Sequence, residues 1–369
     1  MNIWTINLVA AFLISAFLAG VLIPQILLIS FRKKLFDVPD ERKIHNSVVP
    51  RLGGLAFKPV IFITIALILG VNIILGRQNI FSDLIVNEAE IAFVYCAIMM
   101  LYLIGVADDL IGVRYRAKFV AQILCGVLII LGGVSFDSFH GILGIDEIPE
   151  ILSWFITIFL VVFISNAINL IDGIDGLCSG LCSVALLFYG IMFAVAGEFL
   201  YSLLAFSTMG VLVPFFYYNV FGDPQKQRKI FMGDTGSLTI GIIISFLSIR
   251  ISQIPETMFY EGSNHFVLAF APLMVPCFDV VRVFLHRVRN HKSPFKPDKN
   301  HIHHKLLALG LPQRRAMITI VFTSLLFTFV NFLLSQYINI NILLVLNVLI
   351  WTISHIWLTK KIHLCKQKG

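Results

Sequence analysis

The sequence contains few charged residues, which limits the class of protein that it can encode. Only 13% of the 369 residues are Asp, Glu, Lys or Arg, whereas 58% are hydrophobic and the mean hydropathy is +0.90. A soluble globular protein needs a polar exterior that this composition does not supply. The composition therefore excludes a water-soluble protein and predicts a multi-spanning membrane protein.

The sequence also lacks cysteine patterns typical of zinc sites or disulfide frameworks. Its six cysteines are scattered, no C-x-x-C pair occurs, and Cys178 and Cys182 share only the i, i+4 spacing of a helix. Long repeats and low-complexity tracts are absent as well, and the longest polar stretch, 286–305, is too short for a separate domain. We therefore predict one transmembrane domain over residues 1–369.

Long apolar stretches predict an all-α polytopic membrane protein. Eleven of them can cross a hydrocarbon core about 30 Å thick. The first has no Lys or Arg before it and continues well beyond a signal-peptide core, which indicates a retained helix. The predicted spans lie approximately at residues 4–30, 53–76, 91–107, 119–134, 151–171, 177–196, 200–218, 237–252, 265–284, 316–334 and 343–359.

The basic residues support this topology, because eleven crossings make the connecting segments alternate between the two membrane sides. One side receives 25 of the 28 Lys and Arg residues, and only Lys58, Arg77 and Arg250 lie elsewhere. By the positive-inside rule this side is the cytoplasm, which places the amino terminus outside and the carboxyl terminus inside. The net charge of +7 follows from the same bias and from anionic lipid, so it requires no nucleic-acid partner.

The distinctive polar stretches all fall on the predicted cytoplasmic side. This shared location is the main functional signal in the sequence, because no single motif is specific by itself. The stretches are KIHNSVVPRLGG (43–54), GVADDLIGVRYRAK (105–118), NAINLIDGIDGL (166–177), FMGDTGS (231–237) and PDKNHIHHKL (297–306).

Three of these stretches contribute the five aspartates that lie at the predicted membrane interface: Asp108, Asp109, Asp172, Asp175 and Asp234. An Asp near the hydrocarbon edge costs a few kcal/mol, so a group of them on one face indicates a compensating cation. Mg²⁺ is a hard ion that binds one or two carboxylates together with substrate phosphates. A single Asp at a helix end is more often solvated or a helix cap, so the prediction depends on the group of five.

Glycines and histidines provide the expected partners for phosphate. Gly173, Gly176, Gly233 and Gly236 precede predicted helices, where they permit close backbone approach and helix amino termini attract anions, although ordinary turns have the same composition. The HIHH segment at 301–304 lies among lysines, which favours phosphate binding over a transition-metal site or a solvated charge run. These parts predict a reaction between a soluble anionic donor and a lipid phosphate.

The order of the motifs resembles a known family. ADD at 107–109 with Lys118, NAINLIDGIDGL, FMGDTGS and HIHH are similar to the signatures of the polyprenyl-phosphate N-acetylhexosamine 1-phosphate transferases, the WecA and MraY superfamily. Eleven predicted helices and HIHH resemble the WecA and TagO branch more than MraY. The resemblance implies transfer of a sugar 1-phosphate from a UDP-N-acetylhexosamine to undecaprenyl phosphate, releasing UMP and initiating cell-envelope glycan synthesis.

The same resemblance implies a cofactor, a location and an assembly. Mg²⁺ is the expected cofactor, with Mn²⁺ as the alternative. The protein is expected in the lipid bilayer of the bacterial inner membrane, with the active site facing the cytoplasm, and a homodimer is a possible assembly.

The resemblance also implies roles for the carboxylates. Asp108 is the expected base toward the lipid phosphate and Asp109 assists it, with a metal-only role for Asp108 as the alternative. Asp234 is the expected main metal ligand, and Asp109 and Asp172 are expected to bind the same ion. Asp172 and Asp175 are further expected to shape the metal and nucleotide site.

The remaining implied assignments concern the substrates. The histidines hold donor phosphates, Lys118 and Gln122 face the lipid phosphate, and the residues before the second helix contact a substrate or the lipid headgroup. The expected substrate-binding residues are Asn166, Asn169, His301, His303, His304, Lys118, Gln122, Gly233, Lys43, His45 and Arg51.

Two rival functions remain open at this level. An MraY-type transferase would use a UDP-muramoyl-pentapeptide as its donor. A secondary transporter would also contain acids within membrane segments, but transporters place them near the midplane in two related halves, whereas these acids gather at one surface and no halves repeat.

Overall fold

The computed structural model describes residues 3–35, 49–77, 88–254, 258, 264–293 and 300–368. Helices dominate this part of the chain. They are α1 (Ile3–Arg32), α2 (Phe57–Ile74), α3 (Glu88–Ile111), α4 (Tyr115–Leu131), α5 (Glu150–Ile171), α6 (Leu177–Val195), α7 (Phe199–Phe216), α8 (Gly233–Ser252), α9 (His265–Phe270), α10 (Met274–Arg289), α11 (Ile302–Ala308), α12 (Gln313–Leu334) and α13 (Ile340–Lys368). An antiparallel hairpin of β1 (Ser138–Ile142) and β2 (Ile145–Glu147) precedes α5.

The helices confirm an all-α polytopic membrane protein. In the described ranges, ten helical segments are long and apolar enough to cross a membrane, with α9 and α10 counted as the single segment His265–Arg289. A 3₁₀ turn at Ala271–Leu273 interrupts that segment and contains Pro272, which has no backbone N–H for a regular helical hydrogen bond. The remaining predicted span, 119–134, lies on α4, whose 17 residues extend about 26 Å.

Helix α8 forms the centre of the bundle. Of its 20 residues 17 are buried, and it packs mainly against α3 and α5. Small residues permit this close packing, since a methyl group added at Gly241 would lie 2.9 Å from the Cα atom of Ser165 on α5. The first turn of α8, which carries GDTGS, is therefore held at a fixed position among its neighbours.

An ion-pair network surrounds the carboxyl-terminal end of α8. The Nε atom of Arg250 lies 3.5 Å from Glu90 and donates a hydrogen bond of 3.1 Å to the Tyr201 hydroxyl, while its Nη2 atom lies 3.6 Å from Glu198. The Tyr201 hydroxyl in turn donates to Glu90 over 2.6 Å. Arg250, an exception to the charge sorting, thus joins the amino-terminal ends of α3 and α7 to α8.

We expect Arg250→Met to destabilise the protein without changing its chemistry. Removing the cation leaves the buried Glu90 with the Tyr201 hydroxyl but without a counter-charge, and breaking a buried ion pair typically costs about 3 kcal/mol. The site lies about 24 Å along α8 from Asp234, so activity per folded molecule should remain unchanged. Thermal unfolding in detergent measures the effect, with the exposed Arg289→Met as the matched control. Equal melting temperatures for the two variants would contradict the structural role of the network.

Candidate active site

Two of the predicted motifs are joined through their backbones. Residues of PRLGG run beside the segment that leads into α8, and the Phe231 N–H donates to Pro50 over 2.8 Å. The Gly53 N–H donates to Phe231 over 3.0 Å, and the Gly54 N–H donates to Met232 over 2.9 Å. These bonds fix the entry of the chain into α8, and they bring the stretch before α2 to the same place as Asp234.

Glycine is required at two positions of this junction. A methyl group on Gly54 would lie 2.0 Å from the backbone nitrogen of Gly236. Gly233 has φ +71°, and a methyl group there would lie 2.0 Å from the Arg51 carbonyl oxygen. Both glycines thus permit backbone contact that a side chain would prevent. Contact between Gly233 and a substrate stays a prediction.

Asp109 caps helix α8 from another helix. Its Oδ1 atom accepts the Asp234 N–H over 2.8 Å, and its Oδ2 atom accepts the Thr235 N–H over 2.9 Å and the Thr235 hydroxyl over 2.6 Å. The first N–H groups of a helix have no partner within the helix, so this carboxylate satisfies two of them. The cap fixes the end of α3 against the start of α8.

Asp108 and Asp234 face each other across Lys118. The Lys118 ammonium donates 3.1 Å to Asp108 Oδ2 and 2.5 Å to Asp234 Oδ2. The other oxygen of Asp108 accepts the Val113 N–H over 2.7 Å, and Oδ1 of Asp234 accepts the Asn169 amide over 3.1 Å. Residues from α3, α4, α5 and α8 therefore converge on one polar cluster.

The three acids of this cluster fit a divalent cation. Asp108, Asp109 and Asp234 each offer one oxygen, and the three atoms lie within 4.8 Å of one another. Half-buried carboxylates are the ligands that Mg²⁺ or Mn²⁺ prefers, whereas no thiol or imidazole belongs to the group. Asp172 does not belong to it either, although its carboxyl group interacts electrostatically with Asp234 and Asp109.

The DGIDG loop between α5 and α6 borders the cluster. Its Asp175 forms an ion pair with the buried Lys229, and the Gly176 N–H donates to Asn219 over 2.7 Å. The amide of Asn219 donates in turn to the Ile230 carbonyl over 2.9 Å. Lys229 and Asn219 therefore connect this loop with the segment that leads into GDTGS.

The HIHH segment reaches the same loop through His303. A methyl group on Gly173 would lie 2.3 Å from the His303 Nε2 atom, so the imidazole lies directly against the DGIDG loop. The ring is 1% exposed, and neither ring nitrogen has a hydrogen-bond partner in the described part of the chain. Burial, followed by the neighbouring His304 and His301, lowers the pKa of His303 to about 3, so the ring is neutral at pH 7.

Comparison with known proteins agrees with this arrangement. The profile of glycosyl transferase family 4 matches residues 91–252. A probable undecaprenyl-phosphate N-acetylglucosaminyl 1-phosphate transferase of Bacillus subtilis (strain 168) is 31% identical over 326 residues, covering 88% of this chain and 84% of that protein. The chain belongs to this glycosyltransferase family, in its WecA and TagO branch.

Enterobacterial members of the family are also similar to this glycosyltransferase. The undecaprenyl-phosphate alpha-N-acetylglucosaminyl 1-phosphate transferase of Escherichia coli (strain K12) is 28% identical over 297 residues, covering 79% of this chain and 74% of that protein. The protein of the same name from Yersinia pestis is 28% identical over 305 residues, covering 80% and 76%. The resemblance read from the motifs is thus confirmed.

The other predicted residues of this glycosyltransferase have different partners in the structure. Arg51 interacts electrostatically with Asp172. Asn166 lies one helical turn before Asn169 and donates to Gln122 over 2.7 Å, so this pair joins α5 to α4. Lys43 and His45 lie outside the described residues.

Three residues of the site were missed by sequence reasoning. Lys229 immediately precedes IFMGDTGS, and its charge was counted only toward topology. Asn219 lies in the π-helical turn Tyr217–Phe221 after α7, and the surrounding sequence contains no motif that indicates a site there. Asp279 is a lone acid within a predicted span, and such intramembrane acids are by themselves a functional signal.

Proposed function

We propose that this glycosyltransferase transfers N-acetylglucosamine 1-phosphate from a UDP-sugar to undecaprenyl phosphate and releases UMP. The observation that carries the proposal is the cluster of Asp108, Asp109 and Asp234 with Lys118 at the first turn of α8. The names of the relatives supply the acceptor and the N-acetylglucosaminyl group. The relatives' names do not give the nucleotide of the donor, and we propose that it is UDP.

The reaction exchanges one phosphoanhydride bond for another. An oxygen of the lipid phosphate attacks the sugar-bearing phosphorus, and the bond from that phosphorus to the bridging oxygen breaks, so that UMP leaves with this oxygen. If the attacking phosphate carries a proton, Asp108 Oδ2 accepts it. The Val113 N–H holds the other oxygen of Asp108, which orients the carboxylate for this role.

The acids and Lys118 have different proposed roles in binding the metal ion and the acceptor phosphate. Asp234 accepts two hydrogen bonds and retains lone pairs that would hold Mg²⁺, and Asp108, which also accepts two, would join it as a ligand where it does not act as the base. Asp109 already accepts three hydrogen bonds from the start of α8 and would contribute less. When bound, the ion would neutralise the donor pyrophosphate and the charge that develops during transfer. Lys118 balances the acids and is close enough to Asp108 to hold the acceptor phosphate beside it.

The donor is proposed to bind between the DGIDG loop and the HIHH segment. His303 lies against Gly173 with both ring nitrogens lacking protein partners in the described ranges, which suits a ring that hydrogen-bonds a ligand. Asp172 interacts electrostatically with Asp234 and Asp175, and Asn169 donates to Asp234 over 3.1 Å, which connects these residues with the acid cluster. We further propose that this end of the bundle faces the cytoplasm at a bacterial inner membrane, with the amino terminus outside. The positive-inside rule, applied to the basic loops, supports this orientation.

A single assay tests the reaction. Purified protein is incubated with undecaprenyl phosphate, Mg²⁺ and a panel of UDP-sugars, and the released nucleotide is identified. Mg²⁺-dependent UMP from UDP-N-acetylglucosamine is the expected result. UDP would indicate ordinary glycosyl transfer, and activity restricted to UDP-muramoyl-pentapeptide would indicate the MraY reaction. No nucleotide from an intact preparation would contradict the proposal and favour transport. Light scattering of the same sample tests the homodimer.

A further inference from the structure

We propose that Asp279 is a positioning residue for the donor side of the site, because it holds His301 and thereby the HIHH segment in the arrangement that transfer requires. This inference rests on the proposed function. Asp279 lies on α10, 22 residues before His301, and its side chain is fully buried. Its Oδ2 atom lies 2.8 Å from His301 Nδ1, and its Oδ1 atom accepts the Ile302 N–H over 3.0 Å.

Arg282 extends this arrangement to the residue before His301. Its Nη2 atom donates 2.8 Å to Asp279 Oδ1 and 2.5 Å to the Asn300 carbonyl oxygen. The backbone on both sides of His301 and the imidazole itself are thus bound to one helix. Fixing three consecutive residues of a polar segment in this way goes beyond what neutralising a buried acid needs, since Arg282 alone would supply the counter-charge.

The carboxylate also determines which ring nitrogen of His301 carries a proton. Asp279 only accepts hydrogen bonds, so Nδ1 must be the donor, and Nε2 is the nitrogen left for a ligand. A carboxylate partner also fixes the orientation of a ligand-binding imidazole. Asp279 therefore determines which way the His301 Nε2 atom faces.

A chain of contacts connects Asp279 with the DGIDG loop. The rings of His301 and His303 are parallel, with 3° between their planes and 5.8 Å between their centroids. His303, in turn, lies against Gly173. A shift of His301 would therefore also move the neutral His303 relative to the loop, so that both histidines depend on Asp279.

The test is a double-mutant cycle of Asp279→Asn and His301→Ala, measured as UMP release at varied donor and acceptor concentrations. We expect Asp279→Asn to lower kcat/KM for the donor about 10- to 100-fold, as is typical for partners of ligand-binding histidines, and to leave the acceptor KM unchanged. In the His301→Ala background the same substitution should cost less than about threefold, because residues that act through each other are not additive.

Several outcomes would overturn this proposal. Equal losses in both backgrounds, or an equal rise of both KM values, would give Asp279 a structural role only. If Asp279→Asn does not fold, Arg282→Gln replaces it, since this variant releases the Asn300 carbonyl and leaves Asp279 on His301. A smaller loss confined to the donor is then expected, and a change in the acceptor KM would contradict the proposal. A wild-type protein that releases no UMP would instead overturn the proposed function.

Discussion

Replacement of Asp234 by Asn is expected to lower kcat by about 10³-fold, the loss typical of a group that stabilises charge in a transition state. Asp234 lies at the centre of the cluster, because Lys118 donates to its Oδ2 atom and Asn169 donates to its Oδ1 atom. An amide of the same shape removes one of three negative charges and turns an N–H₂ group toward either Lys118 or Asn169. The variant should therefore bind a divalent ion more weakly, and its Lys118 should lose the ion pair with residue 234.

The folded state of this variant should change little, because the bonds that cap α8 come from Asp109 and involve the backbone of residue 234. Asp223→Asn is the matched control, since this acid lies on the segment that leads into α8 and pairs only loosely with Lys226, 4.0 Å away. UMP release and thermal unfolding are measured for both variants. If the Asp234→Asn protein retains more than a tenth of wild-type turnover, the proposed role of Asp234 in the reaction is wrong.

The helices and their common polar face could be predicted because both follow from local sequence. A run of about 20 apolar residues defines a span wherever it packs, and the counts of Lys and Arg sort the loops without reference to tertiary contacts. Arg250 shows where this reasoning stops. Its position on the acidic side can be predicted from the sequence. Its ion pairs with Glu90 and Glu198 cannot, because they depend on how α3 and α7 pack against α8.

The individual roles within the site depend on contacts that sequence spacing does not contain. Asp108 and Asp109 are neighbours and read as one motif, yet one faces Lys118 and the other caps a helix 125 residues further along. The sequence does not single out Asp279 because the surrounding apolar run predicts a membrane span and its partner His301 lies 22 residues further along the chain. The sequence therefore predicts which motifs lie at one end of the bundle, whereas the contacts of each side chain follow only from the packing of the helices.

The glycines at the junction provide the second large effect, since Gly54→Ala is expected to lower both stability and turnover. A methyl group at Gly54 would lie 2.0 Å from the Gly236 nitrogen and 2.4 Å from its Cα atom. These are backbone atoms of the central helix, so no side chain can rotate to relieve the contact. Overpacking of this kind typically costs about 1–3 kcal/mol, and the first turn of α8 must move away from α2.

That movement acts directly on the acid cluster, because Asp109 holds the N–H groups of Asp234 and Thr235 over less than 3 Å. A displacement of about 1 Å between reacting groups can lower a rate about 10²-fold, so kcat should fall by about this factor even in molecules that remain folded.

Gly70→Ala, on helix α2 beyond the 3₁₀ turn Gly53–Ala56 that contains Gly54, provides the control for Gly54→Ala. No heavy atom outside the local helix backbone lies within 4 Å of a methyl group added at Gly70, and Ala exceeds Gly in helix propensity by up to about 1 kcal/mol. We expect this variant to melt at or slightly above the wild-type temperature with full UMP release. If both alanine variants behaved alike, close contact between Gly54 and Gly236 would not be what positions Asp234. A loss confined to Gly54→Ala would show that the acids react only while α8 begins within backbone contact of the PRLGG segment.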